Sequence, residues 1–133
     1  MIKYSLMMAS AFFLAATAGA PALALENPLV VDLHETASSA REASATIFGS
    51  GSSVLVNVTA EHGVPKDAAV TLNDGDCAHP GDIAFALSGF ADEGSLTKLD
   101  HSLTDVAGKA KSLVIHQTAS ETSPVFACGK VAG

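Results

Sequence analysis

The segment 53–59 constrains the fold more strongly than any other part of the chain. Valines occupy every second position, at Val54, Val56 and Val58, and the positions between them carry leucine, asparagine and threonine. A period of two is that of a β-strand with one face in the core, whereas a helix would repeat its apolar positions every three to four residues. The pattern therefore predicts a half-buried strand, with Leu55 on its outer face.

Several other short apolar segments are bounded by Gly, Pro, Asn and Asp in the same way. The predicted strands are residues 29–34, 43–48, 53–59, 68–73, 83–87, 95–103, 112–117 and 125–131. Short strands that recur every ~10–15 residues, with turn residues between them, favour an antiparallel sandwich. A helix over residues 103–110 is the main local alternative, because alanine and lysine there favour a helix while Gly108 opposes it.

The N-terminus has the composition of an export signal. Lys3 precedes an apolar run at 6–18 that is short for a membrane span, and small residues lead up to Ala24. We expect cleavage after Ala24, with cleavage after Ala20 or a retained membrane anchor as alternatives. The predicted organisation is a signal peptide at 1–24 and one domain at 25–133, periplasmic or secreted from a bacterium.

The charge of the chain limits its partners. The formal net charge is −7, and loss of the signal peptide with Lys3 would make it −8. A chain this acidic is poorly suited to nucleic acid or to anionic membrane surfaces. The expected partner is therefore a protein or a small ligand that the sequence does not identify.

Two cysteines, Cys77 and Cys128, permit one intramolecular pairing. Export to an oxidising compartment favours a disulfide between them. It would close a loop of about 50 residues and contribute ~3–4 kcal/mol in the chain-entropy model. Two free thiols or a redox-active pair are the alternatives, although the chain has no Cys-x-x-Cys spacing.

The C-terminal third carries a family resemblance. The sequence Leu-Val-Ile-His ending at His116 and the sequence Ala-Cys-Gly around Cys128, with Cys77 upstream, resemble the closing part of copper/zinc superoxide dismutases. The resemblance is closer to small exported proteins that share this sandwich without the long loops of the enzymes. It implies an all-β, antiparallel Greek-key β-sandwich of immunoglobulin-like architecture, a copper ligand at His116 and a Cys77–Cys128 disulfide.

The departures from that family concern its chemistry. Thr71 and Asn73 stand where the family carries a His-x-His pair of copper ligands. The period of two places both on one face of their strand, but a hydroxyl and an amide are weak ligands for copper. The 11 residues between His116 and Cys128 include no lysine or arginine that would attract superoxide. The resemblance therefore implies degenerate ligand positions, no dismutase activity and no resident cofactor.

Two functions remain from these observations. The first is a non-enzymatic binding or interaction module built on the retained scaffold. The second is a copper- or zinc-handling protein that uses His116 with His79, or with one of the other histidines, His34, His62 and His101. For His116 the simplest role is packing or hydrogen bonding beside Thr71 and Asn73. Leu55, on the outer face of its strand, hints at a self-association surface.

Overall fold

A computed structural model describes residues 25–35, 41–61, 63–92 and 94–131, and β-strands are the main regular structure in this part of the chain. It forms eight strands and one helix. In chain order these are β1 (Leu29–Glu35), β2 (Arg41–Ser50), β3 (Ser53–Ala60), β4 (Val70–Asn73), β5 (Ile83–Leu87), β6 (Gly94–Leu99), α1 (Leu103–Lys109), β7 (Ser112–His116) and β8 (Val125–Lys130).

The strands form one antiparallel sheet in the order β5-β4-β7-β8-β1-β2-β3-β6. At its middle, β1 pairs with β8 through His34 and Glu35, at the end of β1. A side chain at Gly129 of β8 would collide with the backbone carbonyl of Asp32, so this close crossing of the two strands requires glycine. The sheet is thereby divided into two four-stranded parts that meet at this corner.

The outer strands β5 and β6 approach one another and nearly close the sheet. The backbone N–H of Ser88 donates to Thr97 Oγ1 at 2.8 Å, and Ser95 Oγ donates to the Ser88 carbonyl at 2.5 Å. The ring of Phe85 meets the ring of His101 edge to face, with centroids 4.9 Å apart. Side chains thus join the two edges where the paired strands end.

The core lies inside this curled sheet and contains aliphatic side chains from both parts. Its largest fully buried side chains are Val31, Leu33, Ile47, Val54, Val56, Val58, Val70, Leu72, Val106, Leu113 and Ile115. On β3 the valines are buried and Leu55 is exposed, as the period of two predicts. Burial of each such side chain stabilises the fold by roughly 1.5–3 kcal/mol, so the core supplies the main driving force for folding.

The structure confirms the all-β class and corrects the local prediction after β6. The strand expected over 95–103 ends at Leu99, and Leu103 begins helix α1 instead. Ser102 is the N-cap, since its Oγ accepts a hydrogen bond from the backbone N–H of Asp105 at 3.1 Å. Gly108 does not prevent the helix, because it is the residue before the last, Lys109, and the helix ends there.

The cysteines are joined by a disulfide, with Cys77 and Cys128 Cα atoms 5.8 Å apart. This confirms the pairing expected from the sequence. The expected signal peptide lies outside the described residues. Within the described part of the chain, no helix is long and apolar enough to cross a bilayer.

Candidate functional site

Strands β4 and β7, here called the covered pair, differ from the rest of the sheet because both of their faces are buried. One face points to the aliphatic core through Leu72 and Leu113. The other face carries polar side chains and lies beneath two connections, loop 74–82 after β4 and loop 117–124 after β7. Buried polar groups require hydrogen-bond partners, so this layer is where specific chemistry would be expected.

His116 is at the centre of this polar layer and is 5% exposed. Its Nε2 lies 2.9 Å from Thr71 Oγ1, and its Nδ1 lies 3.0 Å from the Ser123 carbonyl oxygen. A carbonyl oxygen can only accept, so Nδ1 carries a hydrogen and donates it. Both ring nitrogens therefore have partners within the protein.

Thr71 connects His116 to Asn73. Its hydroxyl donates to Asn73 Oδ1 at 2.6 Å, and Asn73 Nδ2 donates to the Gly81 carbonyl at 3.4 Å. The three side chains form a continuous line from loop 117–124 to loop 74–82. The structure thus brings together His116, Thr71 and Asn73, which the family resemblance placed beside one another.

Loop 74–82 is held onto the covered pair by a covalent and a non-covalent contact. The Cys77–Cys128 disulfide joins the loop to β8. Ser112 Oγ of β7, which is buried, donates to the Gly75 carbonyl at 2.7 Å. These contacts fix the loop over the polar layer and shield most of it from water, so that His116 is 5% and Asn73 4% exposed.

A shallow groove of about 410 Å³ opens between the two loops. His116, Asn73 and Val114 form its floor, and Ile83 and Val125 contribute apolar walls. The full lining is Asn73, Pro80, Gly81, Asp82, Ile83, Val114, His116, Glu121, Thr122 and Val125. Two carboxylates and no lysine or arginine occur in this set, so the groove combines an apolar surface with negative charge.

The remaining candidate ligands lie elsewhere or have structural roles. His79 is exposed in loop 74–82 and does not line the groove. Asp76 Oδ1 accepts the backbone N–H of His79, and Asp74 Oδ1 accepts that of Asp82, both at 2.9 Å. Across the described residues, which leave out His62, no three His, Cys, Asp or Glu side chains form a group that could hold a metal ion.

A second concavity, of about 700 Å³, lies beside the disulfide. Asp74 and Asp76 line it together with Lys111 and Lys130. Two carboxylates and two ammonium groups give this surface no net preference for the charge of a ligand. The groove at His116 is therefore the better-defined candidate site.

The sequence did not predict three of the residues that form this site. Ser112 anchors loop 74–82, Ser123 holds the His116 ring, and Glu121 supplies charge at the rim of the groove. Ser123 is held in turn, because its Oγ donates to the Ser120 carbonyl at 2.7 Å and accepts the backbone N–H of Thr118 at 3.1 Å. The serine and threonine content of the short loop after His116 was the available signal for such a cap.

Comparison with known proteins does not assign the chain to a family. No protein-family model matches it, and no curated protein sequence matches it at a significant level.

Proposed function

We propose that this chain is an exported, non-enzymatic binding module with a Greek-key β-sandwich that resembles copper/zinc superoxide dismutase without its metal chemistry. The near-closed antiparallel sheet supports the architecture, and the Cys77–Cys128 disulfide supports an oxidising compartment. The resemblance in the C-terminal third supports the relationship. The function proposed is recognition of a partner, with the groove at His116 as the contact surface.

The contact of His116 Nε2 with Thr71 is the single observation that carries the non-catalytic part of this proposal, because a backbone carbonyl at the other ring nitrogen also occurs in metal-binding histidines. A metal bound at Nε2 would have to displace Thr71, and a metal bound at Nδ1 would have to displace the Ser123 carbonyl. The neighbouring positions offer a hydroxyl and an amide, which are poor ligands for copper. A copper centre of the dismutase type therefore does not fit the residues present.

The composition of the groove indicates the chemistry of the partner. Ile83 and Val125 would bury an apolar group, while Asp82 and Glu121 at the rim would attract a cation. The volume of the groove lies within the range of sites that hold a few side chains or a small ligand. The ligand class that fits is a peptide or small molecule with a positive charge next to an aliphatic group.

Metal titration tests the non-catalytic part. Copper(I), copper(II) and zinc(II) are added separately to the wild-type protein and to His116→Ala, and binding is followed by calorimetry. We expect no tight one-to-one binding by either protein. Tight binding that disappears in His116→Ala would overturn the proposal in favour of metal handling, the alternative that the sequence leaves open.

Peptide titration tests the groove. Short peptides with lysine beside leucine, and matched peptides with glutamate in place of lysine, are added to isotope-labelled protein and followed by amide chemical shifts. We expect the lysine peptides to shift residues around His116 and Ile83. Asp82→Asn and Glu121→Gln should each weaken this binding about two- to five-fold, as expected for exposed ion pairs. Shifts confined to other surfaces would place the binding site elsewhere.

A further inference from the structure

The outer face of the strands β1, β2, β3 and β6 presents large apolar side chains to solvent. Val30 is 64% exposed, Leu96 60%, Phe48 48% and Leu55 42%. These four residues come from four different strands that are neighbours in the sheet. We call this surface the apolar face.

Strand register arranges the apolar face in two rows. Val30 pairs with Thr46, Thr46 with Asn57, and Asn57 with Leu96, so the first row has an aliphatic residue at each end. In the second row Phe48 of β2 pairs with Leu55 of β3. Rows on one face are two residues apart along a strand, or about 7 Å.

This arrangement is symmetric about a line that runs parallel to the strands between β2 and β3. Val30 and Leu96 lie at equal distances on either side of this line, about 7 Å away at a strand spacing of ~4.8 Å. Phe48 and Leu55 flank the same line at about 2.4 Å. A two-fold axis along the line would therefore place Val30 against Leu96 of a second copy, and Phe48 against Leu55.

We propose that the apolar face is a self-association surface, and that a second copy of this chain docks on it about this two-fold axis. Every apolar side chain then meets an apolar side chain, and Thr46 meets Asn57 of the other copy. Such self-complementarity is what a two-fold interface requires.

The charges of the chain support this choice of occupant and surface. The four apolar residues, with Thr46 and Asn57, form an uncharged centre. Two charges flank it: Asp32 is exposed two residues beyond Val30 on β1, and Lys98 pairs with Leu55 and lies 3.8 Å from Asp100. Two copies with a net charge of −7 repel one another over most of their surfaces. The uncharged centre is where that repulsion is smallest, and added salt should strengthen the dimer by screening the remainder.

The size of the apolar face sets the expected strength. Four strands and two rows give a footprint of about 20 by 14 Å when side-chain width is included. The area of this footprint is well below the roughly 800 Å² that each partner buries in a standard interface. The dimer should therefore be concentration-dependent, with association in the micromolar to millimolar range.

Sedimentation equilibrium on the purified, disulfide-bonded protein tests the proposal, from about 5 μM to 1 mM and at low and high salt. We expect reversible monomer–dimer behaviour that strengthens with salt. Leu55→Glu should raise the dimer dissociation constant about tenfold or more, because it buries a carboxylate at the centre of the face. The matched control is Thr59→Glu, which adds the same charge to an exposed position on the same face of β3 outside the two rows, and should change the constant about threefold at most.

A mixing experiment tests the axis itself. Phe48→Lys and Leu55→Glu should each dimerise more weakly alone than the wild-type protein. Their mixture should associate more tightly than either variant alone, because one contact becomes Lys opposite Glu and the other restores Leu opposite Phe. Circular dichroism of each variant checks that it is folded, and Leu96→Glu provides a second disruption if one variant is not. A protein that stays monomeric at 1 mM, or a dimer that Leu55→Glu and Leu96→Glu leave intact, overturns the proposal.

Discussion

The covered pair, β4 and β7, and the open strands, β1, β2, β3 and β6, use the same antiparallel geometry in different environments. In β3 buried and exposed residues alternate, whereas β4 and β7 are buried at every position. The difference arises outside the strands, because loops 74–82 and 117–124 cover the outer face of the pair and leave the open strands in contact with solvent. An outward position therefore carries a buried hydrogen-bonding group in the covered pair and a solvent-facing side chain in the open strands.

The disulfide should have the largest effect on this difference, because it holds loop 74–82 over the covered pair. Cys77 and Cys128 are separated by 51 residues, and a crosslink over that length is worth about 4 kcal/mol in the chain-entropy model. We expect Cys77→Ser/Cys128→Ser to lose stability of this order in urea denaturation. Hydrogen exchange should also increase more at Ser112 and His116 than at amides of β3.

Reduction of the wild-type protein is the matching control, since it opens the same crosslink without a substitution. If exchange rises uniformly over both regions, the disulfide stabilises the whole domain and does not preferentially hold the covering loop.

Truncation of leucines compares the aliphatic core beneath β4 with the open surface of β3. Leu72 is fully buried, and Leu72→Ala should cost about 2–5 kcal/mol through lost burial and the cavity left behind. The matched change Leu55→Ala, at a position 42% exposed, should cost below about 1 kcal/mol. Chemical denaturation at about 1 μM protein, below the range in which the proposed dimer forms, measures both, and similar losses would show that Leu55 is buried within the monomer.

Threonine-to-valine substitutions make the same comparison for polar groups. Thr71→Val keeps the shape of the side chain but removes the partner of His116 Nε2 and of Asn73 Oδ1. Leaving buried polar groups unpaired should cost about 1–3 kcal/mol. On the open strands Thr46 is exposed, so Thr46→Val should change the free energy of unfolding by about 0.5 kcal/mol at most. Equal effects in a thermal melt would mean that the polar layer reaches water.

The contrast between the two regions also explains which parts of the structure the sequence predicted. The period of two in β3 predicted its buried and exposed residues because one face meets the core and the other meets water. The same rule predicted that Thr71 and Asn73 share a face, but it could not show that this face is covered, since the cover comes from loops that are distant in sequence. Ser112 and Ser123 were missed for the same reason, because their partners are set by how the loops fold back and not by any local pattern.

The boundary at the end of β6 was wrong for a local reason. Leucines at 96, 99 and 103 fit neither period cleanly, and the N-cap at Ser102 outweighs the cost of Gly108 in the short helix. Leu103 then packs against Gly49 of β2, a contact that no pattern within the helix predicts.

The smallest effect on stability is expected at helix α1, which packs on the open strands and whose ionic contacts remain in water. A hydrogen bond from His101, with a further contribution from Lys109, holds the pKa of Asp105 below its ordinary value of 3.8. His101 Nδ1 lies 2.8 Å from Asp105 Oδ2, and Lys109 Nζ lies 3.4 Å from Asp105 Oδ1. A lowered pKa means that the ionised carboxylate stabilises the fold above pH 3.8, and that this contribution is lost as the pH falls through the folded-state pKa.

Asp105→Asn should therefore lower the melting temperature slightly at pH 7 and have little effect near pH 2. Asp100→Asn removes the same charge from an exposed position and should leave the melting temperature nearly unchanged at both pH values. A deficit in Asp105→Asn that persists undiminished at pH 2 would assign the effect to the N-terminal turn of the helix instead of to the charge of Asp105.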